Sequence, residues 1–373
     1  MTKKKKIMTV AGTRPEFIKL SETIKLIDKI YDQILVNTNQ NFEYELNKIF
    51  FKELNIRKPD YTFNTVDKKA ISKIGDNFIK IEKIIKSEKP DAFLVLGDTN
   101  SGLVVYVAKR LKIPIFHIEA GNRCFDQRVP EEINRKVIDH LSDINLVYSD
   151  ISRNYLIREN FPPQNIIKIG SPMKEIFIKN KAKINLSKIL RKLKLKKEDY
   201  FLISFHREEH LDTEHKMSQF MKLLLYLDNN FKSKIIVSTH FKLRDRINKR
   251  NNLIKSDKIK FLKPFGFIDY SKLLINSRLV LSDSGTLNEE ANVMGFHAVN
   301  LRETHERPEA DEEAVTQLTG LDLDLISEII KNKKNYTKTD LVKDYDVKNF
   351  SQKVAKIIGG YISKIQRDTW KKN

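Results

Sequence analysis

The most constraining feature of this sequence is a rhythm. Short apolar runs end in Gly, Thr, Asp, Glu or His, and stretches with helical spacing of apolar residues follow them. In the first half the runs lie at 7–11, 33–38, 93–96, 114–118 and 144–148. Helical patterns follow at about 14–30 and 101–111. In the second half the runs lie at 200–205, 234–238, 258–262, 279–281 and 298–301. Alternation of this kind gives a parallel, doubly wound sheet with helices on both faces. A chain of 373 residues is too long for one compact α/β core to be the default, so the rhythm predicts two domains. The break is expected in the polar, lysine-rich stretch 175–198. The tail 347–370 reads as a helix, although Gly359 and Gly360 weaken the pattern.

Charge raises a competing reading. There are 69 Lys and Arg against 49 Asp and Glu, a net charge of +20, which would suit a nucleic-acid binder. The lysines are spread along the chain, and the short runs at 3–6, 189–197 and 332–334 do not interleave with aromatic residues. They read as a solvating surface, with no nucleic acid as partner. No apolar run approaches the length of a membrane span. The basic start followed by 7–11 is too short for a signal core and ends at Arg14 and Glu16. With one cysteine, Cys124, no internal disulfide can form, and the expected location is the cytoplasm.

In open parallel sheets ligands bind beyond the carboxyl ends of the strands, and this sequence gathers its polar residues there. Asp98 and Glu119 each follow an apolar run, and Glu131 follows Pro130 at the start of a helical pattern through Ile133, Val137 and Ile138. Three carboxylates near one site are candidates for proton transfer. The alternative is that Asp98 and Glu119 cap helices and that Glu131 and Glu132 form a solvated first turn. Ser284-Gly285-Thr286 stands between a strand and a helix, where free backbone N–H groups would receive a phosphate. Arg14 and Lys19 are further phosphate candidates. His206, at another strand end, could donate to a phosphate oxygen or be a hydrogen-bonded structural histidine. No zinc spacing, Walker loop or dinucleotide Gly-x-Gly-x-x-Gly stands out, so neither a metal nor a cofactor is expected.

The segments GTRPEFIK (12–19), LGDTNS (96–101), HIEAGNR (117–123), PEEINR (130–135), FHREEHLD (205–212), LSDSGTLNEE (281–290) and ERPE (306–309) together resemble the non-hydrolysing UDP-N-acetylglucosamine 2-epimerase family. They run in family order over nearly the whole chain. The resemblance implies the glycosyltransferase-B fold, two Rossmann-like domains facing a cleft, with domains at 1–175 and 176–355. It further implies a closing helix, 356–373, packed on the first domain, and a homodimer. The implied activity is inversion of C2 of a UDP-bound N-acetylated sugar. By resemblance Asp98, Glu119 and Glu131 carry the proton steps and His206 helps the departing UDP. Arg14, Lys19, Arg135, Ser284, Gly285, Thr286, Glu290 and Arg307 match binding positions. The stretches 117–140 and 301–309 look closest to the branch that makes UDP-N-acetyl-L-fucosamine from UDP-2-acetamido-2,6-dideoxy-β-L-talose; the alternative is conversion of UDP-N-acetylglucosamine to the manno sugar. Two stretches depart from the pattern. Residues 37–41 read Asn-Thr-Asn-Gln-Asn where His-Thr-Gly-Gln-Asn is expected, and 240–244 read His-Phe-Lys-Leu-Arg where His-Pro-Arg-Thr-Arg is usual.

Overall fold

A computed structural model describes residues 4–40, 44–64, 69–207, 211, 213–239, 241–248, 256–335 and 339–371. Glu208, Glu209, His210 and Asp212 of the 205–212 segment lie outside the described residues, as do Asn41 and His240. The chain divides into two compact units, one of Met1–Ile178 with Asp344–Asn373 and one of Lys179–Lys343.

The first unit is built on a parallel sheet of β1 (Lys6–Ala11), β2 (Asp32–Asn37), β3 (Tyr61–Thr62), β4 (Ala92–Leu96), β5 (Ile115–Ala120), β6 (Ile144–Val147) and β7 (Ile166–Lys168). Their spatial order is β3-β2-β1-β4-β5-β6-β7. The order reverses beside β1, and such a switch point opens a crevice at the strand ends. The central strands β4 and β5 are buried throughout, and β4 reads accordingly as an unbroken apolar run. Met8, Val10, Phe93, Val95, Ile115 and Ile138 are among the residues of the core on one side.

The second unit repeats the scheme with β8 (Tyr200–Ser204), β9 (Lys234–Ser238), β10 (Ile259–Leu262), β11 (Leu279–Ser282), β12 (Ala298–Asn300) and β13 (Gln317–Leu318). Its order is β10-β9-β8-β11-β12-β13, again all parallel. Two parallel doubly wound sheets are therefore present, as the rhythm predicts. Among the described residues, no helix is long and apolar enough to cross a membrane.

The return of the chain to the first unit begins at Asp344, earlier than the 356 expected. The segment ahead of the last helix is already bonded there. Ser171 N–H donates to the Asp344 carbonyl, and both the N–H and the hydroxyl of Ser351 donate to Glu175. The helix itself runs Phe350–Asp368, straight through Gly359 and Gly360. Gly359 is there for close approach: a Cβ would stand 2.4 Å from the Tyr31 hydroxyl, which donates to the Ala355 carbonyl at 2.9 Å.

Candidate active site

Three strand-end turns of the first unit converge at Gly12. A Cβ at that position would lie 1.9 Å from Thr38 Oγ1 and 2.2 Å from Ser101 Oγ, hydroxyls that are themselves 2.7 Å apart. Only glycine fits. Glu16, in the first turn of the helix Arg14–Ile30, ties the same turns together. Its carboxyl accepts from the N–H groups of Gly12 and Thr13 and from the hydroxyls of Thr13 and Thr99. Burial pushes this carboxyl up to about 7, against hydrogen bonds that favour the charged form. Asn39 stands where the pattern has glycine and takes φ +52°. Asparagine tolerates this left-handed conformation better than most residues, so the departure keeps a left-handed residue at that position.

Asp98 follows β4 and Gly97, and Glu119 lies near the end of β5, the neighbouring strand. Glu119 is 4% exposed, sits at φ +67°, and occupies the place where β5 slips register against β6. A bulge of this kind re-aims a side chain beside a functional site. The carboxylate is met by the Lys19 ammonium, which reaches it from the Arg14–Ile30 helix and lies 5.9 Å from the Tyr148 ring centre.

The helix Pro130–Leu141 supplies the other cation. Arg135 Nη1 donates to the Glu119 carbonyl at 2.5 Å, and Nη2 contacts both Asp98 and Glu119 Oε1, the latter at 3.3 Å. One guanidinium thus joins two of the candidate carboxylates. Lys19 and Arg135, expected against the nucleotide, are here paired with carboxylates. Glu131 is half-buried one turn before Arg135. Of the three apolar residues that suggested this helix, only Ile138 lies on its buried face. Ile133 and Val137 are exposed, while Glu132, Arg135, Ile138 and Asp139 are buried. Glu132 is no solvated residue either, because it accepts the Cys124 N–H at 2.9 Å. Arg14 is half-buried, its guanidinium 5.5 Å from the Phe50 ring centre.

In the second unit His206 and Asp283 lie just past the ends of paired strands, β8 and β11. Asp283 is fully buried; its Oδ1 is 2.9 Å from His206 Nδ1, and its Oδ2 accepts the N–H groups of His206 and Arg207. The imidazole is one-third exposed, and Asp283 fixes its orientation. Ser284, Gly285 and Thr286 lead into the helix Leu287–Met294 and are half-buried. The Arg207 and Glu306 side chains crowd Gly285, with Arg302 paired to Glu306 at 2.7 Å. Glu290 is half-buried on that helix. Arg307, expected to contact substrate, is 1% exposed and gives its Nε to buried Glu289 at 2.8 Å. Among the described residues no cluster of three or more His, Cys, Asp or Glu side chains could hold a metal.

Sequence reasoning missed Glu16, His117, Asp139 and Asp283. Asp283 obeys the strand-end rule that found Asp98. Asp139 was legible as the third member of a four-residue repeat with Glu131 and Arg135, which puts all three on one helix face.

A family profile described as UDP-N-acetylglucosamine 2-epimerase matches residues 26–359. The chain is similar to the solved structure of UDP-N-acetylglucosamine 2-epimerase from Rickettsia bellii, with a TM-score of 0.90 and 43% identity over 99% of this chain and 100% of that one. It is also similar to Methanocaldococcus jannaschii UDP-GlcNAc 2-epimerase, solved with UDP-GlcNAc and UDP. That match has a TM-score of 0.89 and 31% identity over 95% of this chain and 99% of the other. A curated relative, UDP-2,3-diacetamido-2,3-dideoxy-D-glucuronate 2-epimerase of Pseudomonas aeruginosa, is 31% identical over 95% of this chain and 99% of its own length.

Proposed function

Since the chain belongs to the non-hydrolysing UDP-N-acetylglucosamine 2-epimerase family and is an isomerase, we propose that it inverts C2 of a UDP-N-acetylhexosamine by elimination and re-addition of UDP. The observation that carries this reading is the joining of Asp98 and Glu119, from neighbouring strands, by the Arg135 guanidinium. The C2 hydrogen leaves as a proton to a carboxylate. Its electron pair becomes the C1=C2 double bond, and the C1–O bond breaks with its electrons leaving on UDP. A proton then returns to the opposite face of C2, and the UDP oxygen returns to C1. The balance needs no external electron carrier. Two faces need proton-handling groups on two sides, and we assign these steps to Asp98, Glu119 and Glu131. His206, oriented by Asp283, donates to the departing diphosphate. The N–H groups at Ser284, Gly285 and Thr286 receive phosphate, with Arg14 and Glu290 as further binding groups.

Asp98→Asn, Glu119→Gln and Glu131→Gln are expected to fold and to lose about 10²- to 10⁴-fold in rate, the usual contribution of a general acid or base. In heavy water the product should carry deuterium at C2. Inversion without deuterium sinks the mechanism.

For substrate, we propose UDP-2-acetamido-2,6-dideoxy-β-L-talose, on the likeness of 117–140 and 301–309 to the L-fucosamine branch. A site shaped for the 6-methyl leaves a 6-hydroxyl unpaired, at about 1–3 kcal/mol, or roughly 5- to 150-fold. The expectation is at least about tenfold higher kcat/KM than for UDP-N-acetylglucosamine. The second reading, UDP-N-acetylglucosamine itself, is favoured by the name of the 43% identical Rickettsia bellii structure. Equal or better use of that sugar decides for it. On either reading the protein works as a cytoplasmic homodimer, and light scattering of the purified chain tests the stoichiometry.

A further inference from the structure

Two residues before Glu119, on β5, His117 is fully buried. Its Nδ1 lies 2.8 Å from Asp139 Oδ1 and its Nε2 2.7 Å from the Gly97 carbonyl oxygen. Carbonyl and carboxylate oxygens only accept, so both ring nitrogens must carry hydrogen. Asp139 is also fully buried and also accepts the Gly121 N–H at 3.2 Å. Arg123, 1% exposed, places Nη1 at 2.7 Å from the other Asp139 oxygen and bonds Glu159 through Nε and Nη2. Burial alone would push the Asp139 carboxyl up. The His117 hydrogen bond and charge, with the charges of Arg123 and Arg135, outweigh that and hold it below the usual carboxylate value.

The two backbone groups held by this pair are the informative ones. Gly97 and Gly121 are both left-handed, at φ +78° and +75°. One precedes Asp98 directly, and the other follows Glu119 by two residues. Glu119 between them is itself left-handed, a conformation that is unfavourable for a residue with a Cβ. Something must hold that stretch, and buried charge-assisted hydrogen bonds on both flanks do so.

We infer that His117, kept as an imidazolium by Asp139, is a positioning residue of the isomerase, fixing the Gly97 carbonyl while Asp139 fixes the Gly121 N–H, so that Asp98 and Glu119 are aimed together. The inference rests on the reading of those two carboxylates as proton-transfer groups. It reaches past them, because it gives a protonation state and a task to residues that touch no substrate.

The test is Asp139→Asn in the full-length protein. The asparagine keeps the shape of the site but withdraws the charge, so the ring returns to one N–H. In wild type at neutral pH, proton–nitrogen correlation spectra should show two slowly exchanging ring N–H signals from one histidine; in Asp139→Asn that pair should collapse to one. The rate per UDP-binding site should fall about 10- to 100-fold, as when outer-shell partners of a reacting group are lost, with KM nearly unchanged. Should His117→Gln fail to fold, the ring signals and the Asp139→Asn rate still decide. A wild-type ring with one bare nitrogen, or an Asp139→Asn rate within about threefold of wild type, overturns the inference. Wild-type rates in Asp98→Asn and Glu119→Gln would instead sink the reading of the carboxylates, with the two ring signals intact.

Discussion

Arg135→Met isolates what one guanidinium does. Methionine retains much of the stem volume and removes the charge. Arg135 is 1% exposed and serves Asp98, Glu119 and the Glu119 carbonyl. Its loss withdraws one guanidinium from two carboxylates of neighbouring strands, of which Glu119 keeps Lys19. Breaking a buried ion pair from one side costs about 3–5 kcal/mol. The Asp98 side chain is 18% exposed, so water reaches one end of the cluster and the lower value, about 3 kcal/mol, is expected. The first unit has 208 residues, a size at which 1 kcal/mol moves Tm by about 2–4 °C, so the shift is about 6–12 °C. Trp370, the chain's single tryptophan, belongs to that unit, so its fluorescence in a urea titration reads the unit's unfolding. The penalty should shrink in a background of Asp98→Asn and Glu119→Gln, where the guanidinium has no carboxylate charge left to neutralise. A change below about 0.5 kcal/mol, or an equal penalty in both backgrounds, refutes the reasoning.

Glu16 makes stability depend on pH. A folded value of about 7 lies above the unfolded one of about 4.3, so folding favours the protonated form; the contribution, on the order of 3 kcal/mol, is full below about pH 4 and lost as pH rises through about 7. Glu16→Gln should abolish that slope in urea titrations, and an unchanged slope removes Glu16 as its source. Gly170→Ala should destabilise the first unit by about 2–4 kcal/mol, because Gly170 has φ +82° and a Cβ would lie 2.3 Å from Val347 Cγ2; a near-neutral variant by the same fluorescence assay would refute the close packing of the returning segment. Despite the net charge of +20, DNA binding should be weak and fall steeply with salt; nanomolar, salt-resistant binding in an anisotropy titration would overturn the solvating-surface reading.

The buried strands were legible because each is an apolar run punctuated by polar residues at its carboxyl end. The edge strands β3, β7 and β13 are two or three residues long and carry no such run. At the site, strand ends announced Asp98, Glu119 and His206, but not what pairs with them. Hydrophobic periodicity finds the helix Pro130–Leu141 but not its buried face, where Ile138 is joined by Glu132, Arg135 and Asp139 while Ile133 and Val137 are exposed. Gly359 shows the converse error. A residue that weakens a helix in isolation is required where the helix passes Tyr31, and tertiary approach outweighs the roughly 1 kcal/mol that glycine costs there.

That helix explains why the carboxylates can work together. Glu131, Arg135 and Asp139 recur every four residues, so they form one stripe whose charges alternate. Arg135 meets Asp98 and Glu119, and one turn on, Asp139 meets His117 and Gly121. These contacts fall within β5 or just past the ends of β4 and β5, and those strands are held in parallel register from Phe93 and Ile115 onward. The helix therefore acts as a ruler whose turn, about 5.4 Å, spaces the cation that joins the carboxylates from the anion that braces the backbone beside them. A residue inserted within this helix would rotate everything beyond it by about 100° and carry the later side chains off the strand ends together. Substitutions at exposed Ile133 or Val137 would leave the stripe in place.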